Sequence, residues 1–133
     1  IKLGMPVLNK GNLVGRIVEV NYISSRILLL NDLNSKIPAV ISPSGEQAIL
    51  SGIGQKNPTL EYLPDGFQNV DDLTVYTSGK DGVLFPGISI GKIIRDEDDE
   101  SEEGRIRVKL FSDPTQVLYV NVVIDKSTDE EAK

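Results

Sequence analysis

The chain has 133 residues, no cysteine, no histidine, no tryptophan and a formal charge of -6. Without histidine there is no side chain whose ordinary pKa serves proton transfer near neutrality, so Ser-His and Cys-His nucleophiles are excluded. Without cysteine, thiolate catalysis, disulfides and Cys-rich zinc sites are excluded as well, and the compartment is left open. Apolar residues make up 39% and charged residues 26%, an ordinary globular composition that can bury a core as one domain or two small ones. The longest apolar stretches, Ile27 to Leu30 and Val122 to Ile124, fall far short of the ~18 residues of a membrane helix. Because the first residue is Ile1 rather than methionine, the chain is expected to be a fragment, with any signal or anchor lying outside it.

In chain order, a first short strand is expected over 3–8. In the next, Val14, Val18 and Val20 share one face with Arg16. Ile27 to Leu30 reads as a short strand buried on both sides. Short strands over 36–42, 46–52, 59–63 and 73–77 follow, and Pro38 places its strand on an edge or at a bulge because it donates nothing to a ladder. Ile88, Ile90 and Ile94 alternate around Gly91 and Lys92, and in Arg105-Ile106-Arg107-Val108-Lys109-Leu110 every second residue is apolar. Leu118, Val120, Val122 and Ile124 repeat that period, the mark of strands with one buried and one wet face. Turn chemistry at Asn9-Lys10-Gly11-Asn12, Asn31-Asp32, Pro43-Ser44-Gly45, Pro64-Asp65-Gly66, Lys80-Asp81-Gly82 and Asp113-Pro114 recurs at the spacing of a barrel or sandwich. The chain is all-β. Pro64-Asp65-Gly66 suits a junction between two small barrels, residues 1–63 and 64–126, with strands exchanged between them at the ends and 127–133 as a disordered acidic tail.

The acidity is local. Asp96 to Glu103 holds seven of the twenty acids, and the stretch after Ile124 holds four acids against two lysines. Without both, the body is mildly basic. The run from Asp96 to Glu103 reads as a solvated loop kept open by self-repulsion; an EF-hand would need a glycine at its sixth position and alternating ligands, which it lacks. The basic residues of the body are too dispersed for a nucleic-acid footprint. The aromatics Tyr22, Tyr62, Phe67, Tyr76, Phe85, Phe111 and Tyr119 are too sparse for a stacking platform, and most are expected in the core. Phe67 and Phe85 stand where loops protrude and are candidate partner contacts if exposed.

No motif reads as an active site. Ser78 would need a desolvated Lys80 within reach as its base, yet Lys80 stands beside Asp81 and Gly82 in a turn, and no Gly-x-Ser-x-Gly elbow occurs. Gly79-Lys80 ends like a phosphate loop without its earlier glycine or following Ser/Thr. Asp71-Asp72 point to opposite faces of a strand unless the chain turns there. No cofactor and no metal are expected. Gly15, Gly79, Gly87 and Gly91 are expected to allow bulges or positive φ at barrel corners, and alanine at Gly79 or Gly87 is expected to cost at least ~1 kcal/mol.

An ordered set of segments carries a resemblance. Leu13-Val14-Gly15-Arg16-Ile17-Val18-Glu19-Val20 is followed by Ser25-Arg26-Ile27-Leu28-Leu29-Leu30-Asn31-Asp32 and Asn34-Ser35-Lys36-Ile37-Pro38. Ile49-Leu50-Ser51-Gly52, Leu60-Glu61-Tyr62-Leu63 and Val75-Tyr76-Thr77-Ser78-Gly79 come next. Gly82-Val83-Leu84-Phe85-Pro86-Gly87-Ile88 and Ile90-Gly91-Lys92-Ile93 close the set. Over residues 3–124 the chain resembles the periplasmic β-domain of the rod-shape-determining MreC family, apart from its long acidic insert at 96–103.

The resemblance implies two six-stranded barrels, chymotrypsin-like in shape without that chemistry. It implies a non-catalytic scaffold of the cell-elongation machinery that links the MreB filament system and the membrane protein MreD to peptidoglycan-synthesising enzymes, the elongation transpeptidase among them. It also implies self-association through a coiled coil, and a periplasmic location on an inner-membrane anchor, both outside this fragment. Two other classes remain open at this point: a lysine-based serine hydrolase on a double barrel, and a β-barrel module binding a ligand or RNA.

Overall fold

The structure, a computed structural model, describes residues 2–67, 73–82, 84–95, 106–114 and 121–122. The strands are β1 (Pro6–Asn9), β2 (Asn12–Val20), β3 (Ser25–Leu29), β4 (Lys36–Ser42), β5 (Gln47–Ser51), β6 (Thr59–Glu61), β7 (Thr74–Thr77), β8 (Ser89–Arg95), β9 (Ile106–Leu110) and β10 (Asn121–Val122). No α-helix occurs among the described residues, and the all-β class is shown.

Six strands close on themselves in the order β8-β7-β4-β5-β6-β9 and back to β8, every pair antiparallel. The seam between β6 and β9 is a single bridge, Thr59 opposite Arg107. The Arg107 side chain reinforces it: Nε donates to the Asn57 carbonyl at 2.8 Å and Nη2 to Gln55 Oε1 at 3.3 Å. Closure is what makes a short-stranded sheet self-contained, since it removes the exposed edges. Three strands of the ring precede Pro64 and three follow it, so the ring draws on both sides of the expected junction.

The other four strands form an antiparallel strip, β10-β1-β2-β3. It joins the ring through one parallel bridge, Asn12 with Ser89, where the Ser89 hydroxyl bonds to Asn12 Oδ1 at 2.7 Å. The strip does not close among the described residues. The acidic run at 96–103, Asp71-Asp72, the tail at 127–133 and Tyr119 lie outside the described residues.

Period-two alternation fills the ring. On β4, Ile37, Ala39 and Ile41 point inward, joined by Leu50 of β5, Val75 of β7 and Val108 of β9. A second, smaller core of Met5, Val7, Val14 and Ile17, with Ile27 packed on it, belongs to the strip. Strand β2 serves both cores, because Leu13 reaches into the ring while Val14 and Ile17 face the small core. Residues three apart share a face only where the alternation slips, and the β1–β2 register slips there, Val7 pairing Gly15 and Leu8 pairing Leu13. The extra residue is Val14, a β-bulge.

Three expectations need correction. Ile27 to Leu29 are half-buried, in a strand paired on one side to β2 and exposed at its start, because an apolar run marks an edge strand over a small core as readily as a central one. The core is aliphatic. None of the six aromatics among the described residues is buried: Phe67 and Tyr76 are half-buried, and Tyr22, Tyr62, Phe85 and Phe111 are exposed. A ring this narrow is filled by Ile, Leu, Val and Ala. Finally, Pro38 lies in β4, which is flanked by β5 and β7, rather than in an edge strand. Its carbonyl accepts from Ser78 N–H at 3.1 Å, so its nitrogen faces the same side, one residue beyond the last β4–β7 pair at Ala39 and Thr77. Only the return bond of the Pro38–Ser78 pair is missing, at the end of the ladder.

Candidate functional site

The most elaborated loop runs from β7 to β8. Thr77 is buried, and its hydroxyl donates to the Phe85 carbonyl at 2.8 Å while accepting from Ile88 N–H at 2.9 Å. Gly87 N–H donates to the Thr77 carbonyl at 2.9 Å. Within the loop, Leu84 N–H donates to Asp81 Oδ1 at 3.2 Å and Gly82 N–H to the Gly79 carbonyl at 3.1 Å. Gly79 and Gly87 have φ of 76° and 87°, the left-handed region that a side chain resists. A Cβ on Gly79 would also press on the Pro86 ring at 3.0 Å.

Gly15 and Gly91 act through space rather than through φ. A Cβ on Gly15 would overlap the Leu28 carbonyl oxygen, and one on Gly91 the Lys109 carbonyl oxygen. Each stands at a register slip, that of β7–β8 leaving Ile90 as the extra residue between Gly91 and Ser89. The two bulges share a sequence pattern of aliphatic residue, glycine, cation and isoleucine, Val14-Gly15-Arg16-Ile17 and Ile90-Gly91-Lys92-Ile93. In both, the glycine lets the next strand come close where the chain bends.

Ser78 and Lys80 form a local turn. The Ser78 hydroxyl accepts from the backbone N–H of Lys80 at 3.3 Å, and the Lys80 side chain is exposed, whereas a general base for serine needs a desolvated amine aimed at the hydroxyl. No group of three or more acidic residues able to hold a metal occurs among the described residues. Phe85 is 45% exposed on the loop. Phe67, the other contact candidate, is half-buried against the ring core on a separate turn. The structure does not bring the two together.

The feature that sequence reasoning missed is the outer wall of the ring across β5, β4 and β7. The outward positions of β4 are Lys36, Pro38, Val40 and Ser42, of which the middle two are apolar. The register sets Pro38 opposite Ile49 on β5, and Val40 between Gln47 on β5 and Tyr76 on β7. The middle of a face that should be polar therefore carries four apolar side chains, Pro38, Val40, Ile49 and Tyr76, around Gln47. Two shallow depressions mark it, one of about 350 Å³ around Val40, Tyr76, Pro43 and Pro86 and one of about 280 Å³ around Pro38, Ile49, Tyr62 and Lys80. Gln47 borders both. Tyr62, 81% exposed, has a φ of 63°, a conformation uncommon for an aromatic residue. The signal was present in the unbroken apolar run Ile37-Pro38-Ala39-Val40-Ile41, in which a strand cannot bury every residue inside one narrow ring.

The chain matches the family model of the rod shape-determining protein MreC, barrel core, over residues 1–124. The chain belongs to the MreC family. The cell shape-determining protein MreC of Caulobacter vibrioides is 41% identical over 128 residues, covering 95% of this chain and 35% of that protein. The namesake from Cereibacter sphaeroides is 34% identical, covering 92% of this chain and 39% of its own length. This chain thus spans little more than a third of the length of these two relatives. The crystal structure of MreC from Pseudomonas aeruginosa superposes with a TM-score of 0.80 at 25% identity, covering 93% of this chain and 81% of the other. Cell-shape determination is the role these MreC relatives are named for, and the family is one of structural proteins. No helix of the described residues is long and apolar enough to cross a membrane.

Proposed function

We propose that this chain is a non-catalytic periplasmic scaffold domain of the bacterial cell-elongation machinery, linking the membrane and cytoskeletal complex to peptidoglycan-synthesising enzymes and so maintaining rod shape. The observation that carries this is the family match, with 41% identity to a named cell-shape protein over nearly the whole chain. The ring supports it physically: its interior is solid aliphatic core, with its loops tied back by backbone bonds, so recognition falls to the outer surface. The same proposal includes the elongation transpeptidase, MreD and the MreB system as partners, and self-association and inner-membrane anchoring through segments outside this chain. A second barrel completed around the small core, with strands exchanged between 1–63 and 64–126, belongs to it as well. Phe85, exposed on its loop, is the better placed of the two contact candidates.

The test is a chimera. In Caulobacter cells depleted of their own protein, a full-length relative whose matching segment is replaced by this chain is expected to keep cells rod-shaped and to retain the elongation transpeptidase on affinity capture. Rounded cells despite normal chimera levels would contradict the shape role. Rods without transpeptidase capture would contradict the proposed link.

A further inference from the structure

We propose that the outer wall of the ring between Tyr62 and Pro86 is a docking groove for a proline-rich segment in the polyproline II conformation, with an acidic residue at the Lys80 end. Closure of the ring is the first reason. Every strand under the wall is paired on both sides, so an added β-strand finds no free ladder, and an extended ligand must have a backbone that needs no partner. Polyproline II is that conformation: it has no internal hydrogen bonds and a fully solvated backbone. Grooves of aromatic and proline side chains are the surfaces that recognise it.

The spacing agrees. Along β4 the one depression is lined by Pro38 and the other by Val40 and Ser42, two to four residues on, which is about 7–13 Å at the rise of a strand. In polyproline II the side chains at positions i and i+3 share a face about 9 Å apart. One proline would lie against Tyr76, Pro43 and Pro86, and the second against Tyr62, Pro38 and Ile49. Gln47, exposed and bordering both depressions, offers its side-chain amide N–H donors to the peptide carbonyls between them.

Charge sets the direction. Lys80 is exposed beside the Tyr62 depression, and no carboxylate among the described residues pairs with its ammonium. The neighbouring Asp81 turns one carboxylate oxygen to the Leu84 N–H at 3.2 Å. A Glu or Asp after the second proline would therefore meet an available cation. Tyr62 holds an unfavourable φ on the surface, where no buried contact rewards it, and such outliers concentrate at functional sites.

The inference stands apart from the cell-shape reading, and either can fail alone. The experiment titrates the nitrogen-15-labelled chain with a synthetic Pro-Ala-Ala-Pro-Glu peptide, blocked at both ends, and with a second peptide carrying alanine for both prolines. Saturable shifts confined to the amides of Val40, Gln47, Ile49, Tyr62, Tyr76 and Lys80 are expected. Affinity should fall at least tenfold for the alanine peptide and for Tyr62→Ala, hold within twofold for Tyr62→Phe, and fall severalfold for Lys80→Glu. Because Tyr62 is exposed, its substitution leaves the spectrum dispersed, so a loss of binding is not a loss of fold. No shift at millimolar peptide, an equal response to the alanine peptide, or shifts elsewhere on the ring would overturn the proposal. So would preference for an amphipathic helical peptide, or peptide-free shifts at the same amides that grow with protein concentration and mark a second copy as the occupant.

Discussion

The ring and the strip are built from the same kind of strand and differ in what their surroundings complete. In the ring, six strands share one aliphatic core, and its main-chain edges are consumed by closure. In the strip, four buried residues make the core, β3 has an unpaired side among the described residues, and the hairpin tip holds Tyr22 and Ile23 at 103% and 89% exposure. Strand pairing alone does not make a stable unit; it becomes one when the apolar faces meet over enough area. The ring has that area. The strip depends on Leu13, Leu30 and Leu8 meeting the ring core, on the bridge at Asn12 and Ser89 and on the Ser112 hydroxyl, which donates to the Asn9 carbonyl at 3.1 Å.

The largest expected contrast comes from cutting each core. Leu50→Ala, at a fully buried ring position, should lower stability by about 4 kcal/mol, whereas Ile17→Ala in the small core should remove about 2 kcal/mol. Urea unfolding measures both, and equal losses would mean that the two cores melt as one. The paired bulges sharpen the comparison next. Gly91→Ala forces a Cβ against the Lys109 carbonyl inside the closed ring and should cost about 3 kcal/mol; Gly15→Ala, against the Leu28 carbonyl in the strip, should cost about 1 kcal/mol because an edge strand can shift. Matching losses would show that β3 is as firmly held as β9.

Thr77→Val keeps the shape and removes the hydroxyl that joins Phe85 and Ile88. It should lower stability by about 2 kcal/mol and expose the amide of Ile88 to rapid exchange; an unchanged melting temperature would show that the loop holds without it. The smallest effect belongs to Lys36→Ala. Its ammonium donates to Ser51 Oγ at 2.7 Å and pairs with Glu61 at 3.7 Å, but both partners of the ion pair are well exposed, so the loss should be about 0.5 kcal/mol and shrink in high salt.

Local patterns carried the strands. Alternation in 105–110 and 88–94 is written into neighbouring residues, and β9 and β8 stand there. The glycines were legible for the same reason, Gly79 and Gly87 by their turns and Gly15 and Gly91 by their place inside apolar runs. Closure was expected only through the family resemblance, and the pair that makes it was not legible, because the seam sets Thr59 opposite Arg107 and no nearby residue announces it. The wall was hidden by the same fact. Whether Pro38 and Val40 or Ile37 and Ile41 face the core depends on the register with β5 and β7, which depends on the ring. The aromatics misled because size suggests burial, while a narrow ring excludes them and leaves them for its surface.

The measurement that bears most directly on the account is native-state amide hydrogen exchange, followed residue by residue in low concentrations of denaturant. The account predicts that buried amides of β4 to β9 exchange only through global unfolding, as one cooperative unit spanning Pro64, while those of β2 and β3 open at lower free energy. Separate exchange of the strands before and after Pro64, with β4 opening alongside β2 and independently of β7, would contradict it.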